Sequence, residues 1–102
     1  MRVGLLGVGT VGSGVVEMLQ DCMEIEIVRM LDVKVRMPRM TTDPDDIFCD
    51  ESIDTVVETM GGIMPAADFA RRALNAGKHF VTANKALVAD SGKELDALAR
   101  RQ

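Results

Sequence analysis

Gly7-Val8-Gly9-Thr10-Val11-Gly12 has the form G-x-G-x-x-G, and its surroundings give that spacing a meaning that a bare glycine pattern lacks. Immediately before it, Arg2 to Leu6 is a short, mostly apolar run ending in glycine, the pattern of a strand buried on both faces. Immediately after it, Thr10 to Gln20 carries Val11, Val15, Met18 and Leu19 at helical spacing. Ser13 and Gly14 fall where such a helix must lie close against a sheet. In a strand-turn-helix unit each glycine has a physical task. Gly7 permits the tight turn, Gly9 lets a pyrophosphate approach the backbone, and Gly12 lets the helix pack on the strand. Free N–H groups and the positive end of the helix dipole would then face the phosphates, which makes Gly7, Gly9, Thr10, Val11 and Gly12 candidate cofactor-binding residues. A glycine turn made only for packing is the competing reading.

Working outward, Ile25 to Leu31 reads as a second strand ending at Asp32, followed by an exposed basic loop with Lys34, Arg36, Pro38 and Arg39. Asp43-Pro44-Asp45-Asp46 predicts a short helix ending near Cys49, with Asp43 as cap, Pro44 at the first helical position and acids favoured by the dipole. Thr55 to Thr59 reads as a third major strand that stops at Gly61-Gly62. Pro65 opens a helix whose Ala66, Phe69, Ala70, Ala73 and Leu74 form one face, with Gly77 as its C-terminal cap. His79 to Thr82 follows as another strand. Ser91-Gly92-Lys93-Glu94 is a capping-box pattern and predicts the start of a last helix carrying Leu95, Leu98 and Ala99. Strand and helix in regular alternation imply right-handed crossovers and a parallel sheet: class α/β, a Rossmann-type doubly wound sheet, one domain over residues 1–102.

A chain of 102 residues has room for one core, not for a cofactor fold plus a substrate fold. Hydrophobic residues at 47% and charged residues at 27% are ordinary for a soluble globular protein, and no apolar run approaches the roughly 18 residues of a membrane span. The run Val3 to Val8 is broken by glycines and lacks a cleavage site, so no signal peptide is expected and the cytoplasm is the expected location. Cys22 and Cys49 form neither a C-x-x-C nor a His/Cys cluster, so no disulfide framework and no metal site are expected. A net charge of −4, with no Trp, no Tyr and no basic stripe, argues against nucleic acid as a partner.

Chemistry is expected at the carboxyl ends of the strands, the edge where open α/β sheets bind ligands. Asp32 lies about twenty residues beyond Gly12, where a carboxylate accepts hydrogen bonds from an adenosine ribose and favours NAD. Lys34 and Arg36 stand just behind it and have the chemistry a 2′-phosphate of NADP needs, or they belong to a solvated basic loop; the choice between NAD and NADP stays open. Gly61 and Gly62 could receive the nicotinamide side of the cofactor, or form a plain turn. Asn84 and Lys85 follow the next strand and are expected to project into the same crevice, where a lysine can hold a polarised carbonyl or move a proton. His79, at the opposite end of that strand, reads as a solvated turn residue. Glu58 reads as a buried strand carboxylate with no partner that the sequence names.

Three stretches, Gly4 to Val16, Val57-Glu58-Thr59-Met60-Gly61-Gly62 and Gly77-Lys78-His79-Phe80-Val81-Thr82-Ala83-Asn84-Lys85-Ala86-Leu87, resemble the homoserine dehydrogenase family in order and spacing. The Thr-Ala-Asn-Lys segment is more specific than the glycine pattern, and the likeness is weakest between Lys34 and Asp50. The resemblance implies a cofactor domain of a longer enzyme that interconverts aspartate 4-semialdehyde and L-homoserine with NAD or NADP, on the route to threonine and methionine. It also implies that Lys85 lies beside the nicotinamide as a catalytic residue. By the same resemblance, the substrate-binding groups and the segment that makes a homo-oligomer belong to a later domain, so this chain alone is expected to be inactive. A stand-alone nucleotide-sensing module and the cofactor domain of another amino-acid dehydrogenase, such as aspartate dehydrogenase, are the alternative readings.

Overall fold

The computed structural model describes residues 1–61, 65–82 and 84–101. The chain runs β1 (Arg2–Leu6), α1 (Thr10–Leu19), β2 (Glu26–Leu31), β3 (Met40–Thr41), α2 (Asp45–Phe48), β4 (Thr55–Glu58), α3 (Ala66–Asn75), β5 (His79–Thr82) and α4 (Lys85–Arg101). The strands form one parallel sheet in the order β3-β2-β1-β4-β5. The chain therefore winds one way from β1 through β2 to β3, then crosses back past β1 to β4 and β5, which is the doubly wound arrangement expected from the sequence.

Alternation along the strands divides the core between the two faces of the sheet. Leu5 packs with Val8, Met30 and Met40 beneath Val15 and Val16 of α1, whereas Leu6 packs with Leu31, Val56, Ile47, Phe48 and Ala73 beneath α2 and α3. Leu5 and Leu6 are fully buried, and burial of each contributes roughly 1.5–3 kcal/mol. A third cluster joins Ala66, Ala67 and Ala70 of α3 to Leu87 of α4, and the Arg71 guanidinium pairs with Glu94 across the two helices at 2.7 Å.

The boundaries of β1, β5 and α3 follow the sequence reading closely. The end of α3 is a Schellman motif, with the Gly77 N–H donating to the Leu74 carbonyl and the Lys78 N–H to the Ala73 carbonyl, both at 3.0 Å. Three expectations are corrected. Ser91 does not open a helix: it lies buried inside the 17-residue α4 and donates to the Asp90 carboxylate at 2.7 Å. Helix formation starts earlier because the Asn84 side-chain oxygen accepts the Leu87 N–H at 3.0 Å and Leu87 must reach the alanine face of α3. On α1, Val11 and Met18 are exposed rather than part of the apolar face, which is carried by Val15 and Val16. At α2, Pro44 takes the cap position with helical dihedrals, and Asp43 supports it by accepting the Asp45 N–H. The two-residue strand β3, directly after the basic loop, has no counterpart in the sequence reading. Among the described residues no helix is long and apolar enough to cross a membrane.

Candidate functional site at the carboxyl edge of the sheet

Strand register brings the candidate residues into line. Leu31, Leu6, Glu58 and Thr82 form one row across β2, β1, β4 and β5, so Asp32, Gly7 and Thr59, each the next residue in its chain, emerge at one edge. Gly7 turns the chain immediately: its φ of 89° lies in the left-handed region, and its N–H donates to the Leu31 carbonyl at 2.8 Å. Thr59 holds the turn from the other side, its hydroxyl donating to the Gly7 carbonyl at 2.8 Å. Gly12 lies beneath this contact, where a Cβ would collide with the Gly7 carbonyl oxygen and come within 2.9 Å of the Thr59 hydroxyl. A Cβ on Gly9, by contrast, would meet nothing within 4 Å.

Between these strand ends opens a cleft of about 710 Å³, within the usual size range of small-molecule sites. Gly7, Val8 and Gly9 form its floor, Leu31, Asp32 and Val33 one wall, and Thr59, Met60 and Gly61 the other, with Phe69 of α3 beside them. Gly9 caps α1 without a side chain, and the first turn of α1 holds no acid. Gly9 also lines the cleft, so the start of α1 adjoins it, and among the described residues no side chain accepts a hydrogen bond at this helix cap.

Asp32 is engaged within the site. Its Oδ2 accepts the Val8 N–H at 3.1 Å and the Arg36 guanidinium at 3.0 Å, while Oδ1 accepts the Val33 N–H at 2.7 Å. Arg36 also donates to the Val8 carbonyl at 3.1 Å, so its guanidinium spans the glycine turn and the end of β2. The Asp32–Arg36 pair is partly solvated, and such pairs contribute no more than about 1 kcal/mol. At the opposite edge, before β4, Asp50 and Asp54 are held below the usual carboxylate range chiefly by the Ser52 and Thr55 hydroxyls, and the Arg71 guanidinium does the same to Glu94 of α4.

Gly7, Gly9, Asp32 and Gly61 thus line one cleft, and Arg36 reaches it through its hydrogen bonds. Thr10 and Gly12 sit at the start of α1, Val11 on its exposed side, and Lys34 on the exposed loop. Gly62 lies outside the described residues. Asn84 and Lys85 are the residues expected to project toward this crevice. They follow β5 at the same edge, but Asn84 caps α4, and Lys85, exposed at the first helical position, is not among the residues lining the cleft. Sequence reasoning missed Thr59, whose only local signal is a hydroxyl directly after a strand, and the partners of Glu58, which come from the turn after its own strand and from β5. Glu58 Oε2 accepts the Met60 and Gly61 N–H groups at 2.6 and 2.9 Å, and Oε1 accepts the Thr82 hydroxyl at 2.6 Å. His79 is exposed, as expected.

A family model described as "Homoserine dehydrogenase, NAD binding domain" matches residues 7–102. The homoserine dehydrogenase of Synechocystis is 44% identical over 93% of this chain, and that of Bacillus subtilis 39% over 98%. A crystal structure of a homoserine dehydrogenase from Thiobacillus denitrificans superposes with a TM-score of 0.90 at 39% identity, covering 99% of this chain and 27% of that one. The chain spans about a quarter of the length of the curated relatives it matches, 25% and 27% for the first two. With its glycine turn, strand-end carboxylate and sheet order all in place, the chain belongs to the homoserine dehydrogenase family, to the NAD-binding domain of that family.

Proposed function

We propose that this chain is the cofactor domain of a longer NAD(P)-dependent enzyme that interconverts L-homoserine and aspartate 4-semialdehyde, a homo-oligomer when whole. The observation that carries the reading is the cleft in which Gly7, Gly9, Asp32 and Gly61 meet at the uncapped start of α1. The pyrophosphate would lie over Gly9, where space is open, and receive the N–H groups of the first turn around Thr10, Val11 and Gly12. The adenosine ribose would lie beside Asp32, and the nicotinamide would extend past Gly61 toward the end of β5. There Asn84 sets the start of α4, and Lys85 serves the reacting carbonyl.

Bound cofactor supplies the hydride; the chain supplies the binding surface and one ammonium. The 102-residue chain is expected to bind a dinucleotide without oxidising homoserine, because the groups that hold the semialdehyde would lie in the remainder of the enzyme. Production of reduced nicotinamide from homoserine by the pure chain would refute this division of labour.

Arg36 and Lys34 would set the choice of cofactor. A charge-assisted contact to a 2′-phosphate contributes on the order of 1.5–3 kcal/mol, more than the partly solvated pair that Arg36 would give up with Asp32. Replacing Lys34 and Arg36 together with Ala is therefore expected to weaken NADP much more than NAD. The Asp32 carboxylate, freed from its pair, would remain for the NAD ribose. Equal losses for both cofactors in calorimetric titrations would show that the loop acts only as diffuse positive charge.

A further inference from the structure

Glu58 is only 2% exposed and ends β4, yet it takes part in no ion pair among the described residues. A buried carboxylate without a cation is costly unless hydrogen bonds replace its water, and here three donors do so from two directions. From one side come the Met60 and Gly61 N–H groups of the turn that walls the cleft. From the other comes the Thr82 hydroxyl at the end of β5, in register with Glu58. Having given its proton to Glu58, the same hydroxyl oxygen accepts the Asn84 N–H at 2.9 Å. Asn84 in turn accepts the Leu87 N–H and so starts α4, whose first residue is Lys85.

We propose that Glu58 is a positioning residue for the reaction, its carboxylate setting the Gly61 turn of the cofactor cleft in fixed relation to the Thr82 and Asn84 links that launch α4 and carry Lys85. This rests on the reading of the cleft as the dinucleotide site and of Lys85 as the group beside the reacting carbonyl. Only a carboxylate fits all three donors, because both of its oxygens are acceptors. An amide at this position would present N–H to Thr82 and force the hydroxyl to send its proton elsewhere, loosening the arm that leads to Lys85 while leaving an oxygen for the Gly61 turn. Cofactor binding and catalytic alignment therefore depend on separate arms of one side chain.

The test uses the full-length enzyme, with kcat, dinucleotide Kd and melting temperature measured for Thr82→Val, Thr82→Ser and Glu58→Gln, each in the wild-type and the Lys85→Ala background. Thr82→Val keeps the β-branched shape of the strand residue and removes only the link. It is expected to lower kcat about tenfold or more, the scale of a small misplacement of a catalytic group, with the Kd unchanged. Thr82→Ser is expected to restore kcat, and Glu58→Gln to fall with Thr82→Val. In the Lys85→Ala background neither Thr82→Val nor Glu58→Gln should cost anything further, since both act through Lys85. The proposal is overturned if kcat per folded enzyme is unchanged in Thr82→Val, or if the loss is the same in both backgrounds, as a purely structural role would give. Failure of the wild-type protein to bind NAD or NADP would instead overturn the cofactor reading and this proposal with it, an outcome distinguishable by the binding measurement alone.

Discussion

Replacing Lys85 with Ala in the full-length enzyme is expected to lower kcat/KM by about a hundredfold or more, the usual scale for a positioned acid or charge stabiliser. During reduction the carbonyl oxygen gains negative charge as hydride arrives, and an ammonium near it stabilises that charge or delivers the proton. The local structure adds a reason to look here. Lys85 is the first residue of a 17-residue helix, at the positive end of the helix dipole, where a cation is disfavoured by a few tenths of a kcal/mol and acids are preferred. Among the described residues no ion pair offsets this, and a residue that breaks the local rule without such an offset is where function is expected. Lys85→Ala should for the same reason leave the melting temperature unchanged or slightly raised. Lys85→Arg keeps the charge but holds its protons too tightly to give one up, so it should restore activity if charge alone matters and little if proton transfer matters. Near-normal turnover by the alanine variant would show Lys85 to be an ordinary surface lysine.

Gly12→Ala is expected to damage the fold itself. The added methyl would strike the Gly7 carbonyl oxygen and crowd the Thr59 hydroxyl, and neither is the free end of a flexible chain. One is backbone of the glycine turn, and the other is tied to that turn by the bond it donates. Helix α1 would have to lift from the strand ends, a displacement of the kind that costs about 1–3 kcal/mol. For a domain of this size that corresponds to a fall in melting temperature of roughly 5–15 °C, readable by circular dichroism. An unchanged melting temperature would mean that α1 does not lie against the turn as described.

Most of this architecture was legible because local signals and global fold agree. The apolar run of β1, the glycine turn and the helical spacing of α1 each point to the same unit, and Gly77 marks the end of α3 by the motif it closes. What failed to show depends on contacts between distant segments. Ser91 carries a start signal written in four residues, but the true start of α4 is decided by Leu87 finding the alanines of α3. Met40 and Thr41 lack the length to announce a strand and form one because β2 lies alongside. Within the site, the glycines and Asp32 were visible as spacing. The roles of Thr59 and Glu58 were not, since their partners, Gly7 and Thr82, are remote in the chain and meet them only through strand register. Arg36 was legible as a basic residue behind Asp32, but not as one already bonded to it.

The claim at the centre of the account is that the cleft over the glycine turn binds a dinucleotide, and Gly9 tests it with the least disturbance to the fold. Gly9 has a φ of −85°, and a Cβ there meets no atom within 4 Å, so Gly9→Ala should fold and melt like the parent protein. The methyl would nonetheless occupy the space the pyrophosphate needs. Calorimetric titration of the 102-residue chain with NADH and with NADPH is expected to show one-to-one binding of at least one of them, weakened tenfold or more, roughly 1.4 kcal/mol, by Gly9→Ala. Binding of neither dinucleotide by the parent, or an identical Kd in the variant, would contradict the assignment of this cleft.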